Sequence, residues 1–263
     1  MNKRGQLTLF VIIGIILIIL ILLFLFLRNR VYFGPTTPQN LEGQIAQIRE
    51  HIENCLVEIA EPRIRQIGLQ GGFIKTLGDT FRLYNSNKVS YLCYNIKDQP
   101  YCRSRILTLQ DMEKELTEFI LQDLQTRCLN IRAFDKAGYE LSQGKLEIQT
   151  SIRDDNVLVE SNFPISIRRG ESVVEESEFS ALIELPLGRL FGASRDIINV
   201  EALTGDFDTV PYSLTKTQLT GKPYIAQKLQ PYPDKLYLLK INDVPDDNEY
   251  IFQFFIRGEP REV

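Results

Sequence analysis

The sequence predicts an α+β protein: an N-terminal transmembrane helix, a helical pair, then an antiparallel β-meander with a helix and a C-terminal hairpin. Three patterns carry that expectation. Residues Leu7 to Leu27 are 21 consecutive uncharged positions whose only non-apolar members are Thr8 and Gly14. Two later stretches repeat apolar residues every three or four positions, the helical period. From Gly144 the period falls to two and turn residues recur, as in short antiparallel strands.

As a helix the apolar run is about 31 Å long, close to the hydrocarbon thickness of a bilayer. A secretory signal has a shorter apolar region and then a small-residue cleavage site. Here the run meets Arg28-Asn29-Arg30 directly. It is therefore read as an anchor that enters the lipid bilayer through residues 7–27. Lys3, Arg4 and the initial amine weight the N-terminal side only slightly against Arg28 and Arg30, placing the N-terminus inside. Gly34-Pro35-Thr36-Thr37-Pro38 should break the helix soon after the bilayer, because proline lacks a donor and crowds the preceding turn. The segments expected are a basic leader (1–5), an anchor (6–30), a Pro-rich linker (31–39), a helical, disulfide-linked subdomain (40–135) and an α+β ectodomain (136–263).

Asn40 to Ile67 reads as helix, with Leu41, Ile45, Ile48, Ile52, Cys55 and Ile59 on one stripe. Pro62 should kink it or begin a second short helix, and Gly68 and Gly71-Gly72 should end it. A second helix is expected from Leu109 to Ile131, opened by Thr108 and Asp111 in capping-box spacing. Its stripe is Leu109, Met112, Leu116, Ile120, Leu124 and Cys128, and the two stripes should face each other. Leu146 to Ile152 alternates as a strand. Asp154-Asp155-Asn156 turns the chain into Val157–Val159, Ile165–Ile167 follows, and Arg169-Gly170-Glu171 turns it into Val173–Leu185. Pro186 to Leu203 reads as helix. Lys235–Ile241 and Tyr250–Ile256 read as a closing hairpin around Asp243 to Asn248. Gly205 to Pro233 has no firm period; a structureless loop of that length is uncommon, so an edge strand is expected within it.

The chain has four cysteines, one histidine and no tryptophan. Four cysteines allow three pairings, and the sequence alone does not choose among them. The expectation is Cys55 with Cys128, one on each helical stripe, and Cys93 with Cys102 around the Lys97-Asp98-Gln99-Pro100 turn. Four reduced thiols are the alternative. A translocated domain favours the disulfides.

No residue set signals catalysis. His51 lies between Glu50 and Glu53, off the helical stripe, with no nucleophile marked beside it. Asp206 and Asp208 form a DxD read as a turn. Asp243, Asp246, Asp247 and Glu249 crowd one loop without the spacing of a calcium-binding loop. Gly71-Gly72 lacks the Lys-Ser or Lys-Thr of a phosphate loop. No metal and no cofactor are expected. Tyr212, Tyr224 and Tyr232, each beside a proline, form a candidate partner contact; tyrosines packed over strand edges are the alternative. Residues 1–30 hold four of the 30 bases and none of the 34 acids, so residues 31–263 carry a net charge of −8. Such a head is a poor match for nucleic acid or anionic lipid, which need clustered positive charge.

Lys3-Arg4-Gly5-Gln6-Leu7-Thr8-Leu9-Phe10 precedes and opens the apolar run. This stretch resembles the class III, type IV pilin-like signal peptides of archaea, in which a basic pair and Gly precede the cut and Gln follows it. The resemblance implies cleavage between Gly5 and Gln6 by a prepilin-type peptidase, with the apolar helix kept on the mature protein. Gly68-Leu69-Gln70-Gly71-Gly72-Phe73 and Phe252-Gln253-Phe254 are similar to segments of membrane-anchored archaeal surface proteins of unassigned activity. Two features depart from filament-forming relatives: Phe10 stands where they carry Glu, and the proline break shortens the helix.

The functional expectation is a single-pass, membrane-anchored protein with an extracellular domain, in a binding or cell-envelope structural role without catalysis. Its partner would be an unidentified protein or envelope component. The alternatives are a minor pilin-like subunit of a type IV pilus or secretion filament, and an extracytoplasmic carboxylate-dependent enzyme.

Overall fold

The computed structural model describes residues 17, 41–76, 78, 80–95, 102–129, 139–241 and 249–257. Leu17 is helical; the rest of the apolar run, Gly5, Gln6, the Pro-rich linker and Asp243, Asp246 and Asp247 lie outside the described residues. Among the described residues no helix is long and apolar enough to cross a membrane. The chain divides into a unit of residues 1–44 and a unit of residues 45–263; apart from the first turn of the first helix, the architecture below belongs to the second.

The fold is α+β. In chain order it runs α1 (Leu41–Leu69), β1 (Phe81–Tyr84), β2 (Asn87–Tyr94), β3 (Arg103–Ser104), α2 (Leu109–Arg127), β4 (Glu140–Gln143), β5 (Glu147–Ile152), β6 (Val157–Arg169), β7 (Ser172–Ile183), α3 (Leu187–Thr204), α4 (Thr209–Thr220), β8 (Tyr224–Leu229), β9 (Lys235–Ile241) and β10 (Ile251–Ile256). One sheet has the order β1-β2-β10-β9-β8, with β3 also on β2; in the other, β6 pairs with β4, β5 and β7.

The helical pair forms as its apolar stripes require. Ile48, Ile52, Leu56, Ile59, Ile64 and Ile67 of α1 are buried, as are Met112, Leu116, Ile120 and Leu124 of α2. Each such side chain contributes about 1.5–3 kcal/mol when fully buried. Partners pair in reverse order along the two helices. Cys55 is bonded to Cys128, with Cα atoms 6.2 Å apart. Arg63 meets Asp123 at 2.9 Å. Beyond the end of α1, the Lys75 N–H donates to Glu115 at 2.7 Å. The helices are therefore antiparallel. Pro62 does not start a new helix: α1 is one helix of 29 residues with Pro62 inside it. An interior proline costs about 3 kcal/mol, and burial of Ile59, Ile64 and Ile67 around it outweighs that. The Thr108 capping box opens α2, the Thr108 hydroxyl accepting from the Asp111 N–H and the Asp111 carboxylate accepting from the Thr108 N–H.

The meander is β5-β6-β7, all antiparallel. Along β6 the residues Val157, Val159, Ser161, Phe163, Ile165 and Ile167 are buried, giving the alternation of a sheet with one covered face. The turn into β7 places Gly170 at φ +61° between the paired Arg169 and Ser172, the positive φ a two-residue hairpin turn needs. Helix α2 closes the outer edge of β5. The Ile152 N–H donates to the Glu113 carboxylate at 2.8 Å, and the Thr150 hydroxyl donates to the Glu113 carbonyl at 2.7 Å.

In the other sheet β9 and β10 form the expected closing hairpin. Its apolar members Leu236, Tyr237, Leu239, Phe252, Phe254 and Phe255 are buried. Strand β2, which lies between the two expected helices, runs parallel to β10 with Tyr91 opposite Phe255 and Cys93 opposite Ile256. The stretches on either side of residue 135 thus share one sheet. Gly205 to Pro233 holds the expected edge strand as β8, and also a helix, α4, that its sequence did not announce.

Candidate functional site

The region from α3 to β9 collects the sequence-singled residues. Helix α4 starts at Asp208, whose carboxylate accepts from the Val210 N–H at 3.1 Å. Its inward side is hydroxylic. Ser213 Oγ accepts from the Ala226 N–H at 3.0 Å and Thr217 Oγ1 accepts from the Tyr224 N–H at 2.9 Å. These are the outward N–H groups of edge strand β8, so α4 seals that edge with side-chain oxygens. The apolar side chains of α4 face away: Val210 is 66%, Leu214 61% and Leu219 76% exposed, and α4 has no buried residue. Leu203, near the end of α3, is also exposed. The helix inverts the usual arrangement, in which the apolar side faces the core.

The three tyrosines separate. Tyr212 and Tyr224 pack edge-on with ring centroids 6.0 Å apart, and Tyr212 packs on Phe207 at 5.1 Å. Tyr212 donates to Asp196 at 2.7 Å. Tyr224 is buried, whereas Tyr232 is exposed in the turn between β8 and β9. Burial, and then the bond to Asp196, pushes the Tyr212 hydroxyl far above the usual phenol range; burial does the same to Tyr224. Both stay neutral near pH 7 and are poor proton shuttles there.

The DxD pair is spent on structure. Asp208 caps α4, and Asp206 meets Lys228 at 2.9 Å and Lys235 at 3.1 Å. Desolvation raises the Asp206 pKa, but hydrogen bonds from the two lysines outweigh it and hold the carboxyl below its ordinary value. Lys235 also reaches Glu201, 2.8 Å away and only 1% exposed, which accepts from the Tyr237 hydroxyl as well. Nothing in the sequence marks Glu201 as buried and paired; its partners lie 34 and 36 residues away.

Elsewhere, His51 is exposed on α1. Glu249 pairs with Lys240 at 2.7 Å. Gly71 and Gly72, at φ +72° and +95°, finish α1, the Gly72 N–H donating to the Ile67 carbonyl at 2.8 Å. Cys93 is bonded to Cys102, with Cα atoms 5.3 Å apart. An open groove of 650 Å³ over β5-β6-β7 includes Arg49, Glu53, Glu147, Glu160 and Glu178 in its lining. Arg49 is held by Glu176 and Glu53. Among the described residues no three His, Cys, Asp or Glu side chains are grouped as a metal ion requires.

No family model, curated protein or solved structure matches the chain.

Proposed function

We propose that this protein is a single-pass, membrane-anchored extracytoplasmic binding protein of the cell envelope, without catalysis. The observation that carries the binding role is α4, which turns Val210, Leu214 and Leu219 outward while none of its residues is buried. The outward side carries Val210, Pro211, Leu214 and Leu219 with Thr215 and Gln218 among them, apolar area with two polar groups, which suits a protein partner with its own apolar surface. The sole charge on α4, Lys216, is met by Asp196 at 3.1 Å, which leaves the outward side uncharged on an acidic head.

The location is supported by the 21-residue apolar run and by the two disulfides, which belong to an oxidising compartment. In this reading the helix from residue 7 to 27 spans the bilayer, the N-terminus is cytoplasmic, and residues 40–263 are extracellular. The signal-peptide resemblance adds an archaeal cell surface and cutting between Gly5 and Gln6.

A photo-activatable residue placed at Leu214 in living cells tests the binding role. The reading predicts a discrete cross-linked protein adduct from position 214 and none from position 145, whose lysine sits on an exposed turn. No adduct from 214 or 219 would remove the contact surface.

A further inference from the structure

Two arginines of the acidic head share one tyrosine ring. Strand β3 sets Arg103 opposite Tyr94 in its ladder with β2. Two residues on, the Arg105 N–H donates to the Leu92 carbonyl at 2.7 Å, and its guanidinium carbon lies 5.9 Å from the centroid of the Tyr94 ring. Arg257 leaves β10 with its N–H on the Cys93 carbonyl at 3.0 Å, and its guanidinium carbon lies 4.4 Å from the same centroid. Tyr91 packs edge-on to Tyr94 at 6.0 Å. Nearby Arg82 is satisfied by Asp234 at 2.7 Å. Arg105 and Arg257 meet no carboxylate among the described residues; what holds each guanidinium is the Tyr94 ring.

We propose that Arg105 and Arg257, held on Tyr94, form a binding site for a phosphate-type oxyanion. A guanidinium presents a planar fork of donors that matches two oxygens of an oxyanion. One fork uses both oxygens of a carboxylate, whereas a phosphate has further terminal oxygens for a second arginine. Contact with the Tyr94 ring restricts both side chains beforehand, which lowers the entropy lost on binding. The backbone beneath them is fixed by the β2 ladder and by the Cys93–Cys102 disulfide, whose cysteines adjoin Tyr94 and Arg103. The site lies on strands distinct from α4 and depends neither on the anchor nor on the α4 contact. The oxyanion can belong to a soluble phosphate compound or to a lipid headgroup; the recognising chemistry is the same.

Calorimetric titration of the full chain in neutral detergent tests this with three probes: inorganic phosphate, glycerol 3-phosphate, and dihexanoyl-phosphatidylglycerol below its micelle concentration. Sodium chloride at matched ionic strength is the blank. At least one probe should bind above the blank, and the Arg105→Gln/Arg257→Gln pair should weaken it about ten-fold or more. Lys145→Gln should leave it unchanged. Binding of the soluble phosphates alone identifies a soluble source, and binding of the lipid alone a headgroup; either supports the site. If the Gln pair does not fold, the Arg105→Lys/Arg257→Lys pair, which keeps charge but loses the forks, should show the same weakening. No binding above the chloride blank by any probe, or wild-type binding in the folded double variant, overturns the proposal.

Discussion

Gly68 lies directly against the backbone of Ile251: a Cβ built on Gly68 would stand 2.4 Å from the Ile251 carbonyl oxygen and 2.8 Å from the Tyr250 hydroxyl oxygen. The end of α1 thereby docks on β10 without an intervening side chain. Its carbonyls are taken by that strand, Ile64 by the Tyr250 hydroxyl at 3.0 Å and Leu69 by the Gln253 amide at 2.8 Å. The two segments singled out by resemblance, Gly68 to Phe73 and Phe252 to Phe254, are thus one packing unit.

That contact makes Gly68→Ala destabilising. The methyl meets backbone, which cannot swing aside, so the cost should reach about 2–3 kcal/mol, the upper range for overpacking. Gly192 of α3 has nothing within 4 Å of its Cβ position. Gly192→Ala should stabilise by about 0.5–1 kcal/mol, the helix-propensity gain. Urea unfolding of both variants measures the contrast.

The two disulfides should contribute unequally. Cys55–Cys128 closes 73 residues and Cys93–Cys102 only nine. Loop-closure entropy gives about 4 kcal/mol for the first and about 2.5 kcal/mol for the second. Cys55→Ser with Cys128→Ser should therefore lower the thermal midpoint more than Cys93→Ser with Cys102→Ser. Scanning calorimetry of the two double variants decides the order.

Lys235→Met should cost about 3–5 kcal/mol, because it leaves the buried Glu201 carboxylate without its cation. Glu201→Gln, which removes the buried charge and keeps a partner for Tyr237, should cost less. Denaturant midpoints that rank the two in the opposite sense would show that Lys235 is not what sustains Glu201.

Alkali should unfold the head from about pH 10 upward. Burial, then the hydrogen bond to Asp234, pushes the Tyr91 hydroxyl up to about 12. Burial also raises Tyr212, Tyr224, Tyr237 and Tyr250. An unfolded chain loses phenolic protons near pH 10, where the folded head keeps them. This stabilisation is full below pH 10 and is lost as pH rises through the folded values. Unfolding midpoints at pH 8, 10 and 11 should fall in that order, less steeply in Tyr91→Phe.

Much of this fold could be read from periodicity. The stripes of α1 and α2, the Thr108 cap, the β5-β6-β7 meander and the β9–β10 hairpin each follow a local repeat that one buried face imposes. The same stripes carry Cys55 and Cys128, whereas Cys93 and Cys102 are legible from their short spacing. Helix α4 escaped because its periodic feature is inward hydroxyls at Ser213 and Thr217, which bond a strand edge rather than fill a core. The β2–β10 pairing joins residues far apart in the chain and has no local signature. The same holds for Arg105, Arg257 and Tyr94, which a head of net charge −8 gave no reason to group. The tyrosine cluster was legible as aromatic and proline spacing, but which tyrosine faces solvent depends on how α4 lies on β8.

An anchored head outside the cell would be open to an impermeant amine-directed label applied to intact cells. Lys145 has a side chain 84% exposed and serves as the reporter. Peptide mass spectrometry should find Lys145 modified on intact cells to the same extent as after lysis. Modification of Lys145 only after lysis would place the head inside the cell and rule out the anchored, outward-facing arrangement.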